Sequence, residues 1–286
     1  MQAVVSEDAV GTETFESCKR LTQESSISIT GQIVKDERQM GGYEMQVSTL
    51  KIIHISEEYP ISNKEHGVKF LADKRHLWLR SRKQWAIMRV RNEIIMGIHE
   101  FFQNDGFVQM DSPIFTGNAA EGSTTLFETD FFGEQAYLAQ TGQLYGEAMA
   151  MAQGKIYTFG PTFRAEKSDT PRHLAEFWMI EPEMAFYDNE ANMDLIERFV
   201  RHVITRVIDK CQPQLEILER DIDQLKNVSK VFPRVAYTEA VEILRGEKEV
   251  NIQSARNFKH GEDFGGSDET VLTRVFDAPV MVYNWP

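Results

Sequence analysis

The spacing of apolar side chains changes partway along the chain, from every second residue to every third or fourth, and this change constrains the fold more than any other feature. From Ser25 to Ser56 the residues Ile27, Ile29, Gly31 and Ile33 alternate with polar neighbours, a Met40-Gly41-Gly42 turn follows, and Tyr43, Met45 and Val47 resume the alternation. This is the period of a half-buried strand and predicts a β-meander. A polar connector, Glu57 to Asp73, then carries Pro60, Ser62, Asn63 and Gly67. From Lys83 to Asn104 the residues Ile87, Val90, Ile94, Ile98 and Phe101 fall at helical spacing, and Asp105-Gly106 ends the run. A strand module followed by a helix-bearing module implies an α+β chain of two domains, with the boundary in the connector. An isolated meander has too little core to stand comfortably alone, so residues 1–60 read as the end of a small barrel whose first strands are missing.

The rest of the chain continues the mixed pattern. A strand is expected over Phe107 to Met110, stopped by Pro113. Gly154 to Glu166 and Ala175 to Phe186 read as a hairpin joined by the polar loop Lys167 to Leu174. A long helix begins near Glu190 with Met193, Ile196, Val200, Val203 and Val207 on one face, limited by Pro213. Helical segments around Thr238 to Leu244 and Glu269 to Arg274 precede a last strand, Val280 to Tyr283. The chain ends at Trp285-Pro286 without a polar closing segment, which reads as truncation at this end too.

A formal net charge of -13 argues against nucleic-acid binding through the overall field, because phosphate recognition depends on clustered Lys and Arg. Any basic site is therefore local. The window Lys74 to Arg91 holds Lys74, Arg75, Arg80, Arg82, Lys83, Arg89 and Arg91 with no acid, and it reads equally as an RNA-facing strip or a solvated helix face. Cys18 and Cys211 are too few and too far apart for a disulfide framework or a four-ligand zinc site, which fits a reducing compartment. No apolar run reaches the roughly 18 residues of a membrane span, and the start lacks the pattern of a signal peptide, so a cytoplasmic, membrane-free protein is expected.

Alternation along the hairpin decides which of its side chains share a face. Arg164 and Glu166 project to one side of the first strand, and Phe177, Met179, Glu181 and Glu183 share one side of the second. Trp178, Ile180, Met184 and Phe186 take the opposite, apolar side. The charged face reads either as a solvated sheet surface with cross-strand ion pairs or as a site for a triphosphate, an ammonium group and a purine.

The run Phe163 to Phe186, FRAEKSDTPRHLAEFWMIEPEMAF, resembles motif 2 of the class II aminoacyl-tRNA synthetases, and its RHLxEFWMxExE pattern resembles the asparaginyl branch. The helix from Lys83 with FVQMDSPIF, which carries Pro113, is similar to motif 1, the dimer-forming element of that class. Thr116 to Phe127 resembles the loop that closes over the amino acid, and Gln140 to Met151 the turn that contacts it. Residues 25–47 resemble the later strands of the anticodon-binding OB-fold of the aspartyl, asparaginyl and lysyl subgroup. The resemblance implies a partial OB-fold over residues 1–60, a hinge over 61–80 and a catalytic domain over 81–286, built as an antiparallel sheet flanked by helices.

It further implies an ATP-dependent asparagine-tRNA ligase. L-asparagine and ATP would give an asparaginyl-adenylate, with Mg2+, and the asparaginyl group would pass to tRNA(Asn). The substrate carboxylate is the attacking group, so no protein nucleophile is needed and the chemistry rests on positioning and charge neutralisation. By position in the motifs, Arg164 would hold the α-phosphate and the reacting carboxylate, and Phe177 would stack beneath adenine. Glu166, Arg172 and His173 would line the ATP and acceptor-end side. Glu121, Gln143 and Glu181 would surround the amino acid, and Glu183 would be structural or linked to magnesium. Gly146 stands where aspartyl relatives carry a lysine, which favours a neutral amide substrate over a carboxylate. Pro113 would lie at a homodimer interface.

Two departures from the family pattern bear on activity. Motif 3, with its ATP-gripping arginine and the main magnesium ligands, does not occur before Pro286, and the early OB strands are absent. The chain alone is therefore expected to be inactive. The alternative is a non-catalytic tRNA-binding or regulatory paralogue that keeps motifs 1 and 2; an ammonia-using asparagine synthetase derived from the family is opposed by the OB-like strands.

Overall fold

The structure is a computed structural model that describes residues 1–39, 41–62, 64–118, 126–167, 173–246 and 259–286. The backbone divides into two units, Met1–Ser81 and Arg82–Pro286.

In the first unit the elements run β1 (Gln2–Val4), α1 (Glu7–Val10), α2 (Thr12–Cys18), β2 (Ser26–Lys35), β3 (Tyr43–His54), α3 (Val68–Asp73) and α4 (Arg75–Trp78). The sheet order is β1-β3-β2. β2 and β3 form a long antiparallel hairpin, and β1 adds in parallel to β3, so the expected meander is a hairpin with one short parallel strand. Register pairs Ile27 with Ile52, Ile29 with Leu50, Gly31 with Val47 and Ile33 with Met45. The alternating set thus shares one face.

A bulge between Thr30 and Gly31 keeps that face continuous, since it shifts β3 by one residue between Val47 and Thr49. Gly31 is required there, because a Cβ would lie 2.1 Å from the carbonyl oxygen of Gln46. The face is only thinly covered. Ile33 is 57% exposed, and Val47 is the buried hydrophobic side chain among the described residues of this unit.

The second unit opens with α5 (Arg82–Asn104), β4 (Val108–Gln109), β5 (Phe115–Thr116), β6 (Glu128–Phe131), β7 (Glu134–Leu138) and α6 (Gln143–Gln153). The central pair β8 (Lys155–Phe163) and β9 (Glu176–Met184) follows, then α7 (Asn189–Lys210), α8 (Gln212–Ile217) and α9 (Ile222–Lys226). It closes with β10 (Arg234–Ala236), α10 (Tyr237–Gly246), α11 (Gly266–Arg274) and β11 (Met281–Tyr283). Three sheets have the orders β4-β8-β9, β5-β7-β6 and β10-β11. The expectation of an antiparallel sheet is corrected: β4 runs parallel to β8 and β10 parallel to β11, so the architecture is mixed α+β. Parallel pairing needs a long crossover, and the whole β5-to-α6 segment separates β4 from β8.

The main core joins α5, β8 and α7 through Ile98, Phe101, Phe102, Phe107, Tyr157 and Leu195. Tyr157 is fully buried and its hydroxyl meets His99 Nδ1 at 2.9 Å. Two helical faces differ from expectation. On α5 the large buried side chains lie in the second half, the first half buries Ala86, and Ile87 is 37% exposed beside the exposed Trp85 and Met88. On α7 the core takes Leu195 and Phe199, while Ile196 is 39% exposed. Met193, Val203 and Val207 of the expected face are buried or packed on the core, so that face is widened to take in Leu195 and Phe199 while Ile196 is turned out.

Phe186, expected on the apolar face of the second strand, is fully exposed with φ 67°, because the chain leaves β9 at Met184 and turns into α7. Asp188 caps that helix by accepting from the amide of Ala191. Within the basic window, Arg80 pairs with Glu24 at 2.7 Å, and Arg82, Lys83, Arg89 and Arg91 are exposed.

Candidate functional site

The site face of the hairpin follows from register. Thr158 lies opposite Glu181, Ile156 opposite Glu183, Gly160 opposite Met179 and Thr162 opposite Phe177. The other face carries Tyr157, Phe159, Ile180 and Met184 into the core. Strand geometry therefore sends the two glutamates and Phe177 away from the core, as the alternation predicts.

Arg164 differs in detail. β8 ends at Phe163, so Arg164 stands one residue past the strand, held by its amide donating to the carbonyl of Ala175 at 3.0 Å. Its guanidinium lies over the Phe177 ring, 5.6 Å from the centroid. Glu166 lies further out, exposed beyond the strand, and His173 is exposed where the chain returns. Arg172 and Glu121 lie outside the described residues.

At the other end of the face, the turn preceding α6 meets Glu181. One carboxylate oxygen accepts from the hydroxyl of Thr141, and the other accepts from the amide of Gly142 at 2.8 Å and the hydroxyl of Thr158 at 3.3 Å. Gly142 has no room for a side chain: a Cβ would lie 2.7 Å from Thr158 Oγ1 and 2.9 Å from Ser112 Oγ. Gln143 is exposed at the start of α6, and its amide group donates to Glu147 at 2.9 Å, one turn on. Gly146 is buried against Glu183, where a Cβ would meet Glu183 Cγ at 3.1 Å. The small residue at 146 thus makes room for a protein side chain, a reason the sequence alone does not give.

Glu183 is the electrostatically unusual member. Burial, and then the charges of Glu147 and Glu181, raise its pKa above the ordinary glutamate value. Among the described residues no group of three or more His, Cys, Asp or Glu side chains is gathered to hold a metal ion. Pro113 is exposed on the segment between β4 and β5, which is tied to the site sheet by the amide of Met110 donating to Tyr157 and, beyond β7, accepts at Ile114 from the amide of Ala139. Among the described residues no helix is long and apolar enough to cross a membrane.

The structure therefore gathers Gln143, Gly146, Glu181 and Glu183 at one end of the face and Arg164 with Phe177 at the other. Sequence reasoning missed Thr141, Gly142, Thr158 and Glu147. Thr158 was within reach, since hairpin register alone sets it across from Glu181. The turn residues were not, because their contacts join segments that are distant in sequence. Chemically, an acidic end suits an ammonium group, and an arginine beside an aromatic ring suits a phosphate joined to a flat base.

Comparison with known proteins places the chain in a family. The family described as tRNA synthetases class II (D, K and N) matches residues 67–286. The asparagine--tRNA ligase of Symbiobacterium thermophilum is 53% identical over 286 residues, covering 100% of this chain and 65% of the relative. That of Sorangium cellulosum is 50% identical, covering 100% of this chain and 66% of the relative. The crystal structure of asparaginyl-tRNA synthetase from Pyrococcus horikoshii complexed with asparaginyl-adenylate aligns with a TM-score of 0.90 at 40% identity, covering 99% of this chain and 64% of that one. The chain thus spans just under two thirds of the length of these relatives, and on the family match over most of its residues it belongs to the class II tRNA synthetases of the D, K and N group.

Proposed function

We propose that the protein is an asparagine-tRNA ligase, activating L-asparagine with ATP and passing the asparaginyl group to tRNA(Asn). The observation that carries this reading is the two-ended hairpin face: a carboxylate seated by Thr141, Gly142 and Thr158 at one end, and Arg164 with Phe177 at the other. The end-to-end likeness to asparagine--tRNA ligases, at 53% identity in one case, supports it.

In this reading Glu181 takes the α-ammonium group of the amino acid, and Gln143 reads its side-chain amide. Arg164 moves off the Phe177 ring to neutralise the α-phosphate, leaving the ring to stack on adenine. The in-line attack is by the substrate carboxylate on the α-phosphate, with pyrophosphate leaving, and the protein contributes orientation and charge. Glu166, Arg172 and His173 line the ATP and acceptor-end side, and Glu121 closes over the amino acid. Mg2+ would be carried by the triphosphate with Glu183 as one protein ligand; two carboxylates or fewer are the usual protein share for this ion.

The first unit, over residues 1–60, is proposed to be part of an anticodon-binding OB-fold, followed by a hinge over 61–80 and the catalytic domain over 81–286. A long bulged hairpin with one apolar face supports this. A homodimer is proposed through α5 and Pro113, supported by the exposed Trp85, Ile87 and Met88 on that helix. The site of action is taken to be the cytoplasm.

Asparagine-dependent ATP–pyrophosphate exchange tests the function, measured on this polypeptide beside a version extended at both ends, with aspartate as control. Exchange with asparagine in the extended form only is the expected result. None in either form, with tRNA binding retained, would replace this reading by the non-catalytic paralogue.

A further inference from the structure

Glu181 is the residue on which the amino-acid end of the site depends, and its carboxylate is seated almost entirely by other parts of the chain. The Thr141–Gly142 turn supplies a hydroxyl to one oxygen and an amide to the other, and Thr158 supplies a second donor to the latter at 3.3 Å. Thr158 is distinct among these donors. It sits on β8, directly across the ladder from Glu181, and is 3% exposed. It is also wedged between the glycines of the facing segment: a Cβ at Gly142 would lie 2.7 Å from its hydroxyl, and a Cβ at Gly146 would lie 4.0 Å from its methyl group. The hydroxyl and the Gly142 amide thus donate to the same oxygen of Glu181, and the absence of a side chain at 142 is what lets both reach it.

We infer that Thr158 is a positioning residue for the amino acid, acting through Glu181 on the α-ammonium group without touching substrate. The inference rests on the proposed assignment of Glu181 and deepens it. A carboxylate free to rotate meets an ammonium group in many weak geometries, whereas one held by several donors presents its remaining lone pair in a single direction. Hydrogen bonds to a charged group are the ones whose loss is felt most, and a buried threonine hydroxyl can be removed as Thr158→Val with little change in shape.

The test uses whichever form of the protein supports asparagine-dependent exchange, and compares Thr158→Val with Thr158→Ser. The valine variant is expected to raise KM for L-asparagine by about tenfold, the value of roughly one hydrogen bond to a charged group, with KM for ATP and kcat changed far less. The serine variant is expected to recover most of the loss. Inhibition by succinamic acid, which is asparagine without its amino group, is expected to be the same in all three proteins, because that probe has no ammonium for Glu181 to hold. Should Thr158→Val fold poorly, Thr158→Ala removes the same donor with a smaller side chain and is expected to give the same pattern.

Equal KM for L-asparagine in the unmutated protein and Thr158→Val would overturn the positioning role while leaving the assignment of the site intact. A parallel loss toward succinamic acid, or an equal rise in KM for ATP, would also overturn it and make Thr158 a structural residue. Absence of exchange in the unmutated protein would overturn the site assignment and this inference with it.

Discussion

Glu183 and Gly146 form a pair in which the charge of one depends on the smallness of the other. Glu183 is packed against Gly146 and faces the charges of Glu147 and Glu181, and burial together with those charges raises its pKa. Its folded value lies above its unfolded one, so the native state binds more protons between the two values. Stability associated with the protonated group is present below the usual glutamate range and is lost as pH rises through the folded value. Glu183→Gln is therefore expected to raise the urea midpoint at pH 7 relative to the unmutated protein, and to leave it nearly unchanged at pH 4. A midpoint difference equal at both pH values would count against this assignment. The same packing bears on specificity. A lysine at 146 must displace Glu183 and would find Glu183 and Glu147 as partners before any substrate carboxylate. Gly146→Lys is accordingly expected to cut asparagine-dependent exchange by tenfold or more, about 1.4 kcal/mol, without creating exchange dependent on aspartate.

Among the elements, α5 and α7 are joined by charge as well as by core. Arg206, only 13% exposed, bonds Glu93 at 3.0 Å and also pairs with Glu100, and Arg198 bonds Asp105 at 2.9 Å just past the end of α5. The guanidinium of Arg198, aided by Lys155, holds the Asp105 carboxyl below its usual value. A depressed folded value means that the stabilisation is complete above the usual aspartate range and is lost as pH falls through the folded value. Asp105→Asn is expected to cost about 1 kcal/mol or less at pH 7, since Arg198 is about half exposed, and progressively less as pH falls below the usual aspartate range, as read from denaturant titrations. Elements were legible in the sequence to different degrees. The hairpin, α5 and the last strand were evident from period alone, whereas the mixed sheet was not, because parallel pairing of β4 with β8 is decided by the path of the chain between them.

For the molecule as a whole, the two units differ in how much they bury. In the first, Val47 stands as the buried hydrophobic residue among those described, while the second has an aromatic cluster around Phe102 and Tyr157 and a further one around Val235, Ala240 and Leu244. Local opening costs least where buried apolar contact is least. Amides of β2 and β3 are therefore expected to exchange with deuterium faster than those of β8, β9 and the second half of α5, by about two orders of magnitude or more for a difference of ~3 kcal/mol. Equal protection in the two units would contradict the comparison.

By itself the sequence determined the order of the main strands and helices and the face on which Arg164, Phe177, Glu181 and Glu183 are sorted from the core. Each of these follows from the repeat length of an element or from a local motif. Only the tertiary structure decided that Leu195 and Phe199 join the buried face of α7 while Ile196 leaves it, why residue 146 must be small, and that Thr141, Gly142 and Thr158 seat Glu181. Those depend on contacts between segments far apart in the chain, where the period of one element says nothing about the position of another.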